Sequence, residues 1–344
     1  MKGPSGLAAA GLLAFAYTNV GAQSLPADPN ACQLISVNEE RLQCYDRVFG
    51  RNGDNNLRQS PKPIETVSEP SAYDNGKVPP KTSSHMAEHW ELDEASKRGT
   101  FYFRPHRENY LVGTYNPDPN DAPYRPFRLI NPDAELSRGE LAFQLSFKLK
   151  VAEKPANLPV DVWFGYTQRS FWQAGNQEAS SPFRETNYQP ELMAVVPTNL
   201  NLLGLRLRFL NLGLEHQSNG QGSLLSRSWN RVYLQAGLEK DDFEFLVRAW
   251  KRFKEDADED NNPRITDYLG HGDIVGTYRW NGHELSLLMR HNFNTDKGAA
   301  QLGWAFPLSE RLKGYVQVFS GYGYSLIDYN VSQRILGLGV KVSY

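Results

Sequence analysis

His216 and Ser218 are the residues of this chain whose types and spacing best suit covalent chemistry. They stand two positions apart in the run 210–218, and residues i and i+2 of a β-strand share one face. Leu210, Leu212 and Leu214 fall on that same face, opposite Asn211, Gly213 and Glu215. A candidate general base and a candidate nucleophile therefore project from the apolar face of a predicted strand. That face would lie in the core of a soluble protein, but would point at lipid in a membrane barrel.

Asn230 is the third candidate of this group. It shares a face with Ser226 and Ser228 on the next predicted strand, and that face turns from polar to apolar along the chain. Cross-strand neighbours lie about 5 Å apart, so we expect Asn230 beside His216. His216 would take the Ser218 proton, and Asn230 would fix the imidazole tautomer, which predicts acyl transfer. A neutral Asn suits a surface facing lipid, where an ionised Asp is costly. The alternative is an ordinary His-x-Ser pair on a surface.

The link between these two strands holds further candidates. Gly220 can offer an unobstructed amide to a developing oxyanion. Hydroxyl and carbonyl oxygens between Gly220 and Ser226 would suit a hard cation such as Ca²⁺. The other interpretation of Ser226 and Ser228 is that they are routine hydroxyls at the barrel rim.

Gln168 is an anomaly on another predicted strand, because it falls on the apolar face of the run 162–172. An amide that faces lipid needs partners, and a second protein surface can supply them. The position therefore suggests self-association. Solvation by lipid headgroups at a rim is the alternative.

The overall composition limits the classes of protein to consider. The chain has 344 residues and a formal net charge of −2. Without a strong basic excess, nucleic acid is not an expected partner. Residues 1–22 have the charged start, apolar stretch and small-residue end of a secretory signal peptide. No later stretch approaches the roughly 20 apolar residues of a membrane helix, which leaves a soluble exported protein or an outer-membrane β-barrel.

Three segments follow the signal peptide. Residues 23–49 contain Cys32 and Cys44. In an exported chain this pair predicts one disulfide stapling a short helical segment, and the lack of a nearby histidine argues against a metal site. Residues 50–98 are rich in Pro, Ser, Asn and charge, which predicts a flexible linker. From residue 99 to 344 the chain changes to alternating strands.

The strand region predicts the fold class. Apolar and polar residues alternate repeatedly, as in the runs 140–151, 242–249 and 336–344. Short connections at 239–242, 280–283 and 307–310 alternate with long polar ones near 115–138, 174–183 and 255–267. These features predict an all-β fold, a twelve-stranded antiparallel transmembrane β-barrel with periplasmic turns and external loops. Strand parity then places His216 and Ser218 near the external rim. A soluble β-sandwich is the alternative, and it does not explain the long–short alternation.

Several motifs together resemble those of outer membrane phospholipase A, over about residues 100–344. They are the runs 216–220, 226–231, 180–188 and 322–330. The resemblance implies a calcium-dependent enzyme of the outer membrane, active as a homodimer with its site at the external leaflet. It would hydrolyse acyl esters of phospholipids and lysophospholipids at the A1 and A2 positions.

The resemblance also implies roles for individual residues. Ser218 would be the nucleophile, His216 the base, Asn230 its orienting partner and Gly220 the oxyanion donor. Ca²⁺ would be bound by the Ser226 hydroxyl, the Gln221 carbonyl and the carbonyl of Ser180 of the partner subunit, with Gln168 in the dimer interface.

The chain departs from the family pattern in two places. Gln221 stands where relatives have an Arg, which is tolerable if only its carbonyl is used. Ser223 and Asn261 replace acidic residues of a second cation site, which puts that site in doubt. Compensation by the acidic run 255–260 is the alternative, but a solvated external loop is the prediction.

Two other functions are possible for such a barrel. A lipopolysaccharide deacylase can also use a lipid-facing His-x-Ser pair, but the strand count and Asn230 argue against it. A passive pore or structural barrel should have a roomy polar lumen, whereas bulky Trp229, Arg231 and Tyr233 are predicted to point inward.

Overall fold

A computed structural model describes residues 29–49, 84–129, 135–176 and 183–343. The chain divides into two units, Met1–Lys77 and Val78–Tyr344. In the first unit, helices α1 (Pro29–Cys32) and α2 (Asn38–Val48) are joined by a disulfide between Cys32 and Cys44, as predicted. The predicted signal peptide and residues 50–83 of the predicted linker lie outside the described residues.

The second unit is a closed antiparallel β-barrel, which confirms the predicted fold class. Strands β2 to β13 each pair with two neighbours, and β13 closes the ring on β2. The short strand β1 pairs with β3 beyond the end of β2, so β1 and β2 are two pieces of the first of twelve barrel strands. The strands are β1 (Arg104–Pro105), β2 (Tyr110–Tyr115), β3 (Gly139–Glu153), β4 (Asp161–Trp172), β5 (Glu185–Leu202), β6 (Leu205–Ser218), β7 (Ser228–Lys240), β8 (Phe243–Arg252), β9 (Gly272–Trp280), β10 (His283–Asn292), β11 (Lys297–Pro307), β12 (Leu312–Tyr322) and β13 (Ser332–Val342).

The strands are apolar outside and polar inside, the reverse of a soluble fold. On β6, Leu212 and Leu214 expose 55% and 51% of their surface, whereas Asn211 and Glu215 are buried in the lumen. The odd-numbered apolar residues of β3 face outward in the same way, opposite buried Lys148 and Lys150. The outer surface is thus the apolar band of a membrane barrel, and strand alternation is its cause.

Short turns connect the strands at one rim of the barrel, and longer loops connect them at the other. The turn at residues 281–282 joins β9 to β10, and Asn281 and Gly282 both have positive φ, 45° and 81°, as a tight hairpin requires. At the other rim the connections are longer, except at residues 293–296, which join β10 to β11. One of the long connections, between β8 and β9, carries helix α4 (Ile265–Leu269). The predicted alternation of short turns and long loops is confirmed.

Residues 84–98 lie inside the barrel unit, whereas the sequence analysis assigned them to the linker. Helix α3 (His85–Trp90) buries Met86 and Trp90, and a 3₁₀ turn follows at Glu94–Ser96. The Lys148 ammonium lies 3.3 Å from the Trp90 ring centroid, and buried Glu91 pairs with Arg104 and Lys150. This segment has too few apolar residues to show a helical period, and its contacts combine apolar residues of the barrel interior with charged pairs. Among the described residues no helix is both long and apolar enough to cross a membrane.

Candidate active site

The pairing of β6 with β7 brings the predicted catalytic residues to one outward face. His216 lies directly opposite Asn230, and its Nδ1 is 2.8 Å from Asn230 Oδ1. Ser218 lies opposite Ser228 on β7 and opposite Tyr188 on β5. The contact between His216 and Asn230 is on the exposed side of the sheet. The three side chains that the sequence selected therefore share the lipid-facing surface at the rim that carries the long loops.

The contact between His216 and Asn230 sets the protonation pattern of the imidazole. An amide oxygen only accepts, so the proton must be on Nδ1 of His216, which donates to Asn230. Nε2 then holds a free lone pair and is the nitrogen able to act as a base. In the described part of the chain, the Ser218 hydroxyl makes no hydrogen bond to His216; such catalytic contacts often tighten only when substrate binds.

The loop between the two strands is organised by Asn219. Its side-chain Nδ2 donates to the Leu225 carbonyl at 2.8 Å, and its Oδ1 accepts from the Arg227 backbone amide at 2.9 Å. Gly220 follows with φ +64°, and a Cβ there would lie 3.0 Å from the Tyr188 ring. Only glycine adopts this conformation without strain, so the loop needs Gly220 where an oxyanion donor is predicted.

The predicted calcium ligands are only partly described. Ser180 lies outside the described residues. Ser226 and Gln221 lie in the loop, and Ser226 Oγ accepts a hydrogen bond from Asn261 Nδ2 at 3.0 Å. A serine oxygen has a second lone pair, so hydroxyl and carbonyl remain hard donors of the kind that Ca²⁺ uses. The described residues hold no group of three His, Cys, Asp or Glu placed to bind a metal, so these neutral oxygens fit a cation only as part of a larger site.

Asn261 is one of the two residues that are predicted to replace the acidic ligands of a second cation site. Its Oδ1 accepts from the Ser228 amide at 2.8 Å, and its Nδ2 also reaches Ser228 Oγ at 3.4 Å. The Asn261 side chain thus joins the loop after β8 to the start of β7 by direct hydrogen bonds. A carboxylate in the same place would need a cation to bridge to those hydroxyl oxygens.

Gln168 lies on the outward face of β4, as predicted, but its amide has partners within the chain. Tyr166 Oη donates to Gln168 Oε1, and Gln168 Nε2 donates to Ser170 Oγ, both at 3.1 Å. Tyr166 and Ser170, each two positions from Gln168 on the same strand face, thus provide hydrogen-bond partners for the Gln168 side chain. An unpartnered amide was the basis of the predicted self-association, which stays a prediction.

Several supporting residues escaped the sequence analysis. Glu185 accepts from Asn219 Nδ2 at 3.2 Å and from the Ile327 amide at 3.1 Å, so it connects the loop between β6 and β7 to the loop between β12 and β13. Its position within the run 180–188 was the available signal. Inside the barrel, buried Glu215 pairs with Arg231 and with Arg248, which holds β6 and β7 from behind.

Comparison with known proteins agrees with this geometry. The sequence profile of the phospholipase A1 family matches residues 86–342. A phospholipase A1 of Escherichia coli K12 is 36% identical over 252 residues, which cover 73% of this chain and 84% of that protein. A candidate phospholipase A1 of Neisseria meningitidis serogroup B is 37% identical over 340 residues, 90% of this chain and 89% of that protein.

Solved structures show the same relationship. Outer membrane phospholipase A from Escherichia coli superposes with a TM-score of 0.66 at 35% identity, over 71% of this chain and 99% of that one. A calcium-bound dimer of the Salmonella typhi outer membrane phospholipase gives 0.68 at 33% identity, over 76% of this chain and 98% of that one.

The fold defines an outer-membrane β-barrel, with its candidate catalytic residues on the outward face. The chain belongs to the phospholipase A1 family, whose outer-membrane members are the outer membrane phospholipases A. The match begins at residue 86, within α3, so the family domain includes most of the segment 84–98.

Proposed function

We propose that this protein is a calcium-dependent phospholipase that hydrolyses acyl esters of phospholipids and lysophospholipids, at the A1 and A2 positions, in the external leaflet of the outer membrane. The observation that carries the proposal is the contact of His216 Nδ1 with Asn230 Oδ1 beside Ser218, on the outward face of the barrel. The phospholipase names of the relatives support the same substrate class.

The residues present account for both halves of the reaction. Ser218 Oγ attacks the ester carbonyl carbon while His216 Nε2 takes its proton. The Gly220 amide donates to the oxyanion, which collapses to an acyl-serine as His216 returns the proton to the departing lysophospholipid oxygen. Water, deprotonated by His216, then attacks the acyl-serine and releases a fatty acid.

Ca²⁺ would be held by the Ser226 hydroxyl and the Gln221 carbonyl, completed by the carbonyl of Ser180 of the partner subunit. Bound there, it would supply positive charge to the oxyanion that develops near Gly220. A cation site divided between two copies of the chain would make activity depend on dimerisation. The calcium-bound dimer of the Salmonella typhi relative supports this proposal.

The test is fatty-acid release from mixed phospholipid–detergent micelles, with Ca²⁺ or with a chelator. Ser218→Ala should lose activity by at least about 1000-fold, since removal of the nucleophile leaves only binding and oxyanion stabilisation. The matched control is Ser320→Ala, because Ser320 is an exposed serine of β12 far from the site. Both variants should keep the heat-modifiable gel mobility of a folded barrel.

The same assay separates the competing functions. Chelator should abolish the activity of the unmodified protein, and lipopolysaccharide should release no fatty acid. Full activity of Ser218→Ala would overturn the proposal. Hydrolysis of lipopolysaccharide but not phospholipid would make the protein a deacylase, and conductance in planar bilayers without hydrolysis would make it a pore.

A further inference from the structure

We infer that Glu255, in the long loop after β8, is a positioning residue that orients Asn230 and brings a carboxylate charge to the catalytic group from the aqueous side of the rim. The inference rests on the proposed function, because it assigns Glu255 to the same Ser218–His216–Asn230 group. It extends that group by one residue.

The contacts of Asn230 carry the inference. Its Oδ1 faces His216 Nδ1 at 2.8 Å, and its Nδ2 donates to Glu255 Oε1 at 3.4 Å. The side chain therefore stands between imidazole and carboxylate, with its acceptor toward one and its donor toward the other. The reversed amide would set oxygen against oxygen at Glu255, so the carboxylate selects the orientation that the imidazole needs.

Glu255 itself is held in place. Arg252, the last residue of β8, donates to Glu255 Oε2 at 2.9 Å and to Asp260 Oδ1 at 2.6 Å. The Phe253 amide donates to the Asn230 carbonyl at 2.8 Å, which fixes this loop against β7. The Glu255 side chain is 17% exposed, whereas Asp256, Asp258 and Glu259 are exposed. The acidic run is thus a solvated loop, as predicted, except where Glu255 and Asp260 bind Arg252.

This arrangement answers an electrostatic difficulty of a neutral triad. Transfer of the Ser218 proton leaves a positive imidazolium, and an Asn offers it only a dipole. An ionised Asp in its place would stand on the lipid-facing surface, where a charge is expensive. Glu255 places the carboxylate charge on the far side of the Asn230 amide, beside Arg252 and water. The polarised amide then transmits part of the electrostatic effect of that charge to the imidazolium.

The experiment compares three variants of the full-length protein in neutral detergent micelles with saturating Ca²⁺. Glu255→Gln removes the charge and keeps an acceptor oxygen, and Glu255→Ala removes both. Glu259→Gln is the matched control, because it deletes an equal charge from the same loop without a contact to Asn230. The readouts are kcat, KM and the pH profile of kcat/KM.

We expect kcat to fall about threefold in Glu255→Gln and about tenfold in Glu255→Ala, with KM within about twofold. Without the carboxylate, protonation of the imidazole is less favourable. The acid limb of the profile should therefore move to lower pH by about half a unit in Glu255→Gln. Glu259→Gln should leave kcat and the limb unchanged.

A double-mutant cycle tests whether Glu255 acts through Asn230. In an Asn230→Ala background, Glu255→Ala should have less than about a twofold effect, because the group through which it acts is gone. Equal fold-losses with and without Asn230, or an acid limb that does not move in Glu255→Gln, would overturn the inference. If Ser218→Ala also kept full activity, the proposed function itself would be wrong; if only the Glu255 results fail, it stands.

Discussion

At the scale of single residues, the contact between His216 and Asn230 does two tasks with one hydrogen bond at 2.8 Å. It orients the imidazole, and it leaves Nε2 as the base. Asn230→Ala removes the acceptor, so either ring nitrogen can carry the proton. We expect kcat to fall about 10- to 100-fold, with little change in micelle binding. Steady-state fatty-acid release measures this, and an unchanged kcat would contradict the assigned role.

Asn230→Asp distinguishes orientation from charge. The new carboxylate would lie near Glu255 Oε1, which Asn230 Nδ2 now contacts at 3.4 Å. Like charges at this distance repel, so the ionised Asp should turn away from Glu255 and orient the imidazole less well. We therefore expect a lower kcat than that of the unmodified protein above neutral pH. The measurement is kcat of both proteins from pH 6 to about pH 9. A faster enzyme across the whole range would show that the neutral amide has no advantage here.

Gly220 is a second residue whose role follows from its geometry. Its φ is +64°, and an added Cβ would meet the Tyr188 ring at 3.0 Å. Gly220→Ala should therefore displace the amide that is proposed to donate to the oxyanion, and lower kcat by about 100-fold. Gly222 in the same loop has no atom within 4 Å of an added Cβ, so Gly222→Ala is the control and should keep near-normal activity. Equal activity in both variants would contradict the role of Gly220.

At the scale of elements, helix α3 shows how a short segment can be held in a polar lumen. His89 Nε2 donates to the His106 carbonyl at 3.1 Å. Burial, and then the nearby charge of Lys148, holds the pKa of His89 well below its usual 6.5. His89 binds a proton more readily in the unfolded segment than in the folded one. Helix α3 is therefore fully stabilised above about pH 6.5 and loses stability as the pH falls below that value.

Hydrogen exchange of residues 84–98 tests this pH dependence. Exchange should become faster, after correction for its intrinsic pH dependence, between pH 7.5 and about pH 5. His89→Gln keeps a donor and cannot titrate, so it should remove the effect. His85→Gln, at an exposed position of the same helix, should not. An equal response of both variants would place the effect elsewhere.

The strands and the lumen segment differ in how far the sequence predicts them. Strand alternation is a local signal, repeated on every hairpin, so the barrel and the His216–Asn230 pairing were predictable. Helix α3 was not, because Trp90 contacts Lys148 and Glu91 pairs with Lys150, and both lysines are distant in sequence from the helix. The role of Glu255 was hidden for the same reason. Its partner is Asn230, 25 positions away and on another strand.

At the scale of the whole molecule, self-association is expected along the face that contains Gln168. Its amide is paired with Tyr166 and Ser170 within the chain. A partner barrel can nevertheless use the remaining donor and acceptor capacity of the amide. Gln168→Leu should weaken calcium-dependent dimerisation about threefold to tenfold, the range for one interhelical hydrogen bond in a membrane.

Cross-linking in detergent with Ca²⁺ measures that dimerisation. Ser320→Leu is the control, since it replaces a polar residue on the outward face of β12. Unchanged dimer yield in Gln168→Leu would move the interface to another part of the barrel surface.

The inside-out distribution of side chains has a consequence for biosynthesis. The ion pairs of Glu215 and the outward leucines of β6 become favourable together only when the ring is closed and lipid surrounds it. An isolated hairpin of two strands is marginal in water, so β6 and β7 do not align His216 with Asn230 on their own. The chain therefore carries its proposed catalytic residues through the cell in a latent form. Arrival in the target bilayer completes the folding that aligns them, so these residues are not aligned while the chain passes other membranes.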